Sequence, residues 1–136
     1  MKTNKMLFAV LCLSVLLLFS FSIKVQQAKP WAVPEAAKAK KNPLKSDSES
    51  INVGKALYAK HCKSCHGKDG EGDGTKAAEL ETFPGDFTTK DFQAQTDGAI
   101  FYKTVEGRDD MPSFKKKIPD QEDLWSLVIY LRQLSK

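Results

Sequence analysis

"KHCKSCHGKDGEGDG", Lys60 to Gly74, gathers two of the chain's three cysteines, both of its histidines and four of its eight glycines. Two cysteines three positions apart with a histidine directly after the second admit three chemistries, each with its own demands on the rest of the chain. A structural zinc site needs four ligands, usually with a second Cys/His pair at a distance. The remaining cysteine, Cys12, lies in an apolar leader, and His61 and His66 are both inside the motif, so no second pair exists. A thioredoxin-like dithiol belongs at the opening of a helix between strands. The flanks here read as a helix before the motif and a Gly-rich loop after it.

The third chemistry is covalent attachment of haem. One helical turn sets two thiols at about the separation of the porphyrin vinyl groups and aims the next side chain at the metal. Cys62 and Cys65 are then the attachment points and His66 a ligand to iron, with one covalently bound haem c per chain. A second iron ligand is expected from few candidates. His61 leaves the same helix beside Cys62 and does not reach the other face of the ring. Met1 and Met6 belong to the leader, which leaves Met111 of the three methionines. It stands in "GRDDMPSF", where Pro112 pushes its predecessor out of helical geometry and leaves a long side chain on an extended loop. The other reading of Met111 is an ordinary core methionine.

Around the motif the periodicity is helical. "SDSE", Ser46 to Glu49, has the form of a capping box, and Ile51, Leu57, Tyr58, Cys62 and Cys65 recur behind it at near-helical spacing, so that Cys62 to His66 closes a first helix. Asp97 to Glu106 has Thr96 as a cap, Ile100, Phe101 and Val105 as a stripe, and Gly107 as a stop. A last helix opens at Pro119 and Asp120, with Leu124, Leu127, Val128, Leu131 and Leu134 on one face and Trp125 and Tyr130 beside it. No strand-like alternation competes. The expectation is an all-α domain of three to five helices, whose apolar content is marginal unless a large flat hydrophobe fills its centre.

The ends of the chain are read from composition. Residues 1–23 carry two lysines and then "MLFAVLCLSVLLLFSFSI", Met6 to Ile23. That run is long for a cleavable signal and just reaches a spanning helix, so signal peptide and uncleaved membrane anchor both stay open, with Ser20 and Ser22 marking a cleavage site near Ser22. Export places the protein in the periplasm, free or tethered. Residues 24–45 read as a linker and 46–136 as the haem domain. Trp31 is the odd member of the linker: either an exposed aromatic on a tether, or the anchor of a segment that folds back on the domain or docks on a partner.

The net charge of +4 belongs to the first 50 residues, because residues 51–136 hold 13 basic and 14 acidic side chains. A near-neutral domain excludes nucleic acid as a partner. The run Lys115, Lys116 and Lys117 is locally basic and is a candidate docking patch. "DGEGDG" imitates the opening of a calcium loop, but the position for its closing glutamate is Leu80, so the glycines are read as a sharp exit from the haem helix.

On "GKALYAKHCKSCHGKDGEGDG", "DGAIFYKTVEGRDDMPSF" and "LWSLVIYLRQL", about Ile51 to Leu134, the chain resembles the mono-haem class I c-type cytochromes, and is similar to the exported cytochrome c subunits of bacterial terminal oxidases. The resemblance implies thioethers at Cys62 and Cys65, axial ligation by His66 and Met111, and a first helix that crosses the last at Gly54 and Tyr58 against Trp125 and Tyr130. It also implies a proline carbonyl, with Pro84 as candidate, accepting the other N–H of His66. The function it implies is one-electron transfer and not enzymic turnover. A quinol-oxidising complex or similar protein is the donor, a terminal oxidase or reductase the acceptor, and the protein a monomer or a complex subunit. A haem sensor or peroxidase with a displaceable methionine, and a fixed haem subunit, are the alternatives.

Overall fold

The computed structural model describes residues 30–136, so the leader and residues 24–29 lie outside the described residues. The described chain is helical throughout: α1 (Glu35–Lys38), α2 (Ser48–His61), α3 (Lys63–His66), α4 (Lys90–Gln93), α5 (Asp97–Glu106) and α6 (Gln121–Gln133), with a 3-10 turn at Ala77–Glu79. Three of these, α2, α5 and α6, are the helices that periodicity predicts. The other three are single turns too short to leave a periodic signature.

Two boundaries differ from expectation. The cap of α2 is Asp47, not Ser46: its carboxylate accepts the Ser50 N–H at 2.9 Å. An anionic cap at the positive end of the helix dipole does what a serine would do and adds charge. Nor does Cys62 to His66 close α2. The helix ends at Cys62, whose φ of −116° and ψ of −38° turn the chain, and α3 begins immediately after it. α5 runs as expected from Thr96, whose hydroxyl accepts the Ala99 N–H at 3.2 Å, to Gly107 at a φ of 70°. Asp120 caps α6 by accepting the Glu122 N–H at 2.8 Å.

The frame is the crossing of α2 with α6. Gly54 is where they meet: a side-chain carbon there would collide with the Ser126 carbonyl and come within 2.8 Å of the Tyr130 Cβ, so only glycine permits the approach. One turn on, Tyr58 packs on Tyr130 with ring centroids 5.3 Å apart and donates its hydroxyl to the Gly67 carbonyl at 2.8 Å, which ties α2 to the end of α3. Trp125 shares the core cluster with Tyr58. Its ring stacks on Phe101 of α5 at 4.0 Å between centroids, which joins α5 to α6. Leu124, Leu127, Val128 and Leu131 fill the space between the helices with Ile100, Phe114 and Ile118. Each such side chain contributes roughly 1.5–3 kcal/mol when fully buried.

Of the segment expected to be a linker, residues 30–45 fold back on this frame. Gly98 of α5 lets the Ala37 and Lys40 carbonyls approach closely, Asn42 Nδ2 donates to the Trp125 carbonyl at 3.0 Å, and Leu44 packs on the core. Among the described residues no helix is long and apolar enough to cross a membrane.

Candidate functional site

A cavity of about 450 Å³ opens beside the junction of α2 and α3. Cys62, Cys65 and His66 line it, and so does Met111 from the loop after α5. The break at Cys62 supplies three of these residues. As the cap between the two helices, Cys62 packs partly against the core, while α3 carries Cys65 and His66 round to the same opening. The thiols are free. Burial, followed by the neighbouring Cys65, pushes the Cys62 thiol up to about 12.

His66 is 8% exposed and its ring stacks on Phe87 at 4.3 Å between centroids. Burial pushes its imidazole down to about 4, so the ring is neutral near pH 7 with a lone pair to give. Its Nδ1 is buried and has no hydrogen-bond partner among the described residues. Pro84 borders the same cavity, and its carbonyl makes no hydrogen bond to that nitrogen in this structure. His61 borders the cavity as well, its ring edge-on to Phe114 at 6.1 Å.

The glycine loop is an exit from α3. Gly67 leaves the helix at a φ of 85°, and the chain then doubles back so that the N–H groups of Gly72, Gly74 and Lys76 donate to the carbonyls of His66, Cys65 and Ser64 at 2.9, 3.2 and 2.8 Å. Carbonyls left over at the helix end are thereby satisfied by the loop that follows. A side chain on Gly74 would strike the backbone of Cys65 at 2.6 Å.

Met111 sits on a tighter structure than an extended loop. Arg108 and Met111 exchange both backbone hydrogen bonds, at 2.8 and 2.9 Å, around Asp109, the one non-glycine residue with positive φ (52°) among the described residues. The Asp110 carboxylate accepts from the Thr82 N–H at 3.0 Å and from its hydroxyl at 3.1 Å, joining this turn to the loop that carries Phe83 and Pro84. Phe83, 71% exposed, also lines the cavity. Of the three consecutive lysines only Lys117 borders the opening, where Lys60 and Lys76 join it from other segments. Sequence reasoning missed Arg108, Asp109 and Thr82 as parts of the site. The only signal for Arg108 and Asp109 was the turn composition of "GRDD", and Thr82 had none. The same reasoning flagged Trp31, which lines the cavity, without a destination.

A neutral buried imidazole, a thioether and two unpaired thiols thus share a cavity of cofactor size with apolar Leu80, Phe83 and Phe114 on its walls. These residues fit a large, flat, apolar group that carries a metal and two thiol-reactive arms.

Known proteins point the same way. The family described as cytochrome c oxidase, cbb3-type, subunit III matches residues 49–131, a span that holds Cys62, Cys65, His66 and Met111 and leaves out Trp31. A chain of the reducing HAO-like protein complex of Kuenenia stuttgartiensis is similar in structure, with a TM-score of 0.62 and 29% identity, over 81% of this chain and 53% of that one. The protein therefore spans about half the length of that neighbour. No curated protein matches the chain. A family match over more than half of the sequence, on an all-α frame built round such a cavity, settles the kinship: the chain belongs to the family described as cytochrome c oxidase, cbb3-type, subunit III.

Proposed function

We propose that the protein is a one-electron carrier of a bacterial respiratory chain, with one haem c joined to Cys62 and Cys65 and its iron held by His66 and Met111. The observation that carries this reading is the single cavity onto which both thiols, the neutral imidazole and the thioether converge. Haem supplies a ferric/ferrous couple when bound there. His66 gives an imidazole nitrogen and Met111 a soft sulfur, a pair that favours the reduced state and raises the potential. Phe87 fixes the plane of the His66 ring by stacking on it. The apolar walls keep water off the reacting centre, and the Asp110–Thr82 bonds hold the Met111 turn across the opening.

With His66 and Met111 both holding the iron, no vacancy would be left for a gas or a peroxide. The reduced protein is therefore expected to keep its absorption spectrum under carbon monoxide. A prompt spectral change would transfer the protein to the class of haem sensors and peroxidases.

The partners are a donor such as a quinol-oxidising complex and an acceptor such as a terminal oxidase or reductase, met in the periplasm, with residues 6–23 as signal or anchor. Membership of a larger assembly is the second reading, favoured by the structural neighbour, itself a chain of a complex. Lys60, Lys76 and Lys117 around the opening form the docking patch, in place of the run Lys115 to Lys117. On a domain of near-neutral charge such a cluster orients the molecule and acts mainly on the encounter rate. Reversing all three to Glu is expected to slow transfer to an acidic acceptor by about tenfold or more at low salt, and to flatten the salt dependence, within the range that steering covers. Reversal of Lys115 and Lys116 alone should do much less. Stopped-flow rates at varied ionic strength compare the two sets, and equal slowing by both would remove the patch from the opening.

A further inference from the structure

We propose that residues 30–45 are a strap that fixes the Met111 turn, with Trp31 as its clamp on Arg108. The inference rests on the reading of Met111 as a ligand and adds a positioning residue that lies outside the family span of 49–131.

The strap is anchored behind the site. α1 packs on α5 at Gly98, Asn42 bonds to the Trp125 carbonyl of α6, and Leu44 enters the core. From those anchors the strap reaches back to Trp31, which stands at the cavity wall. There the indole ring takes two cations. The Arg108 guanidinium carbon lies 4.7 Å from the ring centroid and Lys103 Nζ 5.7 Å from it. Both distances are within the range of cation–π attraction, which is strongest on an indole.

Arg108 is no ordinary surface residue, since its backbone forms both hydrogen bonds to Met111. Its side chain also reaches the Asp109 carboxylate at 3.1 Å. Asp109 holds a positive φ, a conformation that persists only where the surroundings impose it. Two clamps therefore impose it. Asp110 on Thr82 holds the turn from one loop, and Trp31 on Arg108 holds it from the strap. With the second clamp gone, the turn opens more often and Met111 leaves its place more often.

The test compares Trp31→Ala and Trp31→Phe with the parent, all as haem-loaded full chains, by two readouts. One is amide hydrogen exchange at Arg108 and Met111. The other is the rate at which imidazole enters the ferric iron. Trp31→Ala is expected to speed both by about tenfold, the scale set by loss of a partly buried cation–π contact. Trp31→Phe, which keeps a ring face, should restore most of the difference. Amides in the centre of α6 should exchange at the parent rate in both variants. Unchanged exchange at Arg108 and Met111, or a rise shared equally with α6, would overturn the clamp and leave Trp31 as general packing. A parent that takes up imidazole as fast as Met111→Ala would instead overturn the ligand reading and with it the effect on iron, while the exchange data still decide whether the clamp exists.

Discussion

Replacing Cys62 and Cys65 together with Ser should leave the protein without any haem that survives acid–acetone extraction, when it is made in cells with a haem-attachment pathway. Each single variant should keep one thioether and a shifted spectrum. The loss reaches beyond the cofactor. Without its occupant the cavity of about 450 Å³ leaves apolar wall residues such as Leu80 and Phe83 facing water, at a cost of roughly 25 cal/mol for each Å² of apolar surface the cofactor would have covered. The double variant is therefore expected to unfold at a lower temperature by circular dichroism as well as to lose its colour. Haem that extracts freely from the parent protein would end the covalent reading.

Met111→His should lower the midpoint potential by about 0.2 V, a fraction of the ~0.8 V over which axial ligands set haem potentials, because a nitrogen donor stabilises ferric iron better than a soft sulfur does. Met111→Ala should open the iron to carbon monoxide. The two variants separate ligation from packing. A core methionine replaced by Ala would lower stability by about 2–5 kcal/mol and leave ligand binding and potential where they were. Redox titration with and without carbon monoxide distinguishes those outcomes in one preparation.

How far the sequence alone could be read depended on whether a feature was local. Thr96, Gly107 and Asp120 are caps and stops whose chemistry acts within four residues, and α5 and α6 begin and end where those residues imply. The break at Cys62 escaped because helix and helix-turn-helix share the same apolar spacing and differ only in one pair of dihedral angles. The convergence of Met111 with the cysteine motif was legible by elimination, since few residues can bind iron. Its support by Asp110 and Thr82 was not, for those bonds join residues 28 positions apart without any periodic trace. The lysines show the same limit. Adjacent positions on a turn point in different directions, so Lys117 borders the opening while Lys115 and Lys116 do not, and Lys60 and Lys76 join it from elsewhere. Trp31 was visible as an anomaly among prolines, but which surface it meets is decided 72 and 77 positions away, at Lys103 and Arg108.

The crossing at Gly54 and Ser126 has a consequence in time. Every residue that lines the cavity precedes α6 in the chain, so the cavity wall is drawn from one continuous stretch and the frame is closed by a segment that contributes nothing to the wall. Local pieces such as α3 with its glycine loop assemble within microseconds, whereas the contact of α2 with α6 joins Gly54 to Ser126 across a long loop and forms more slowly. The slow step of folding is therefore expected to be the docking of α6 on α2, with substitutions at Gly54 slowing it more than substitutions in the glycine loop.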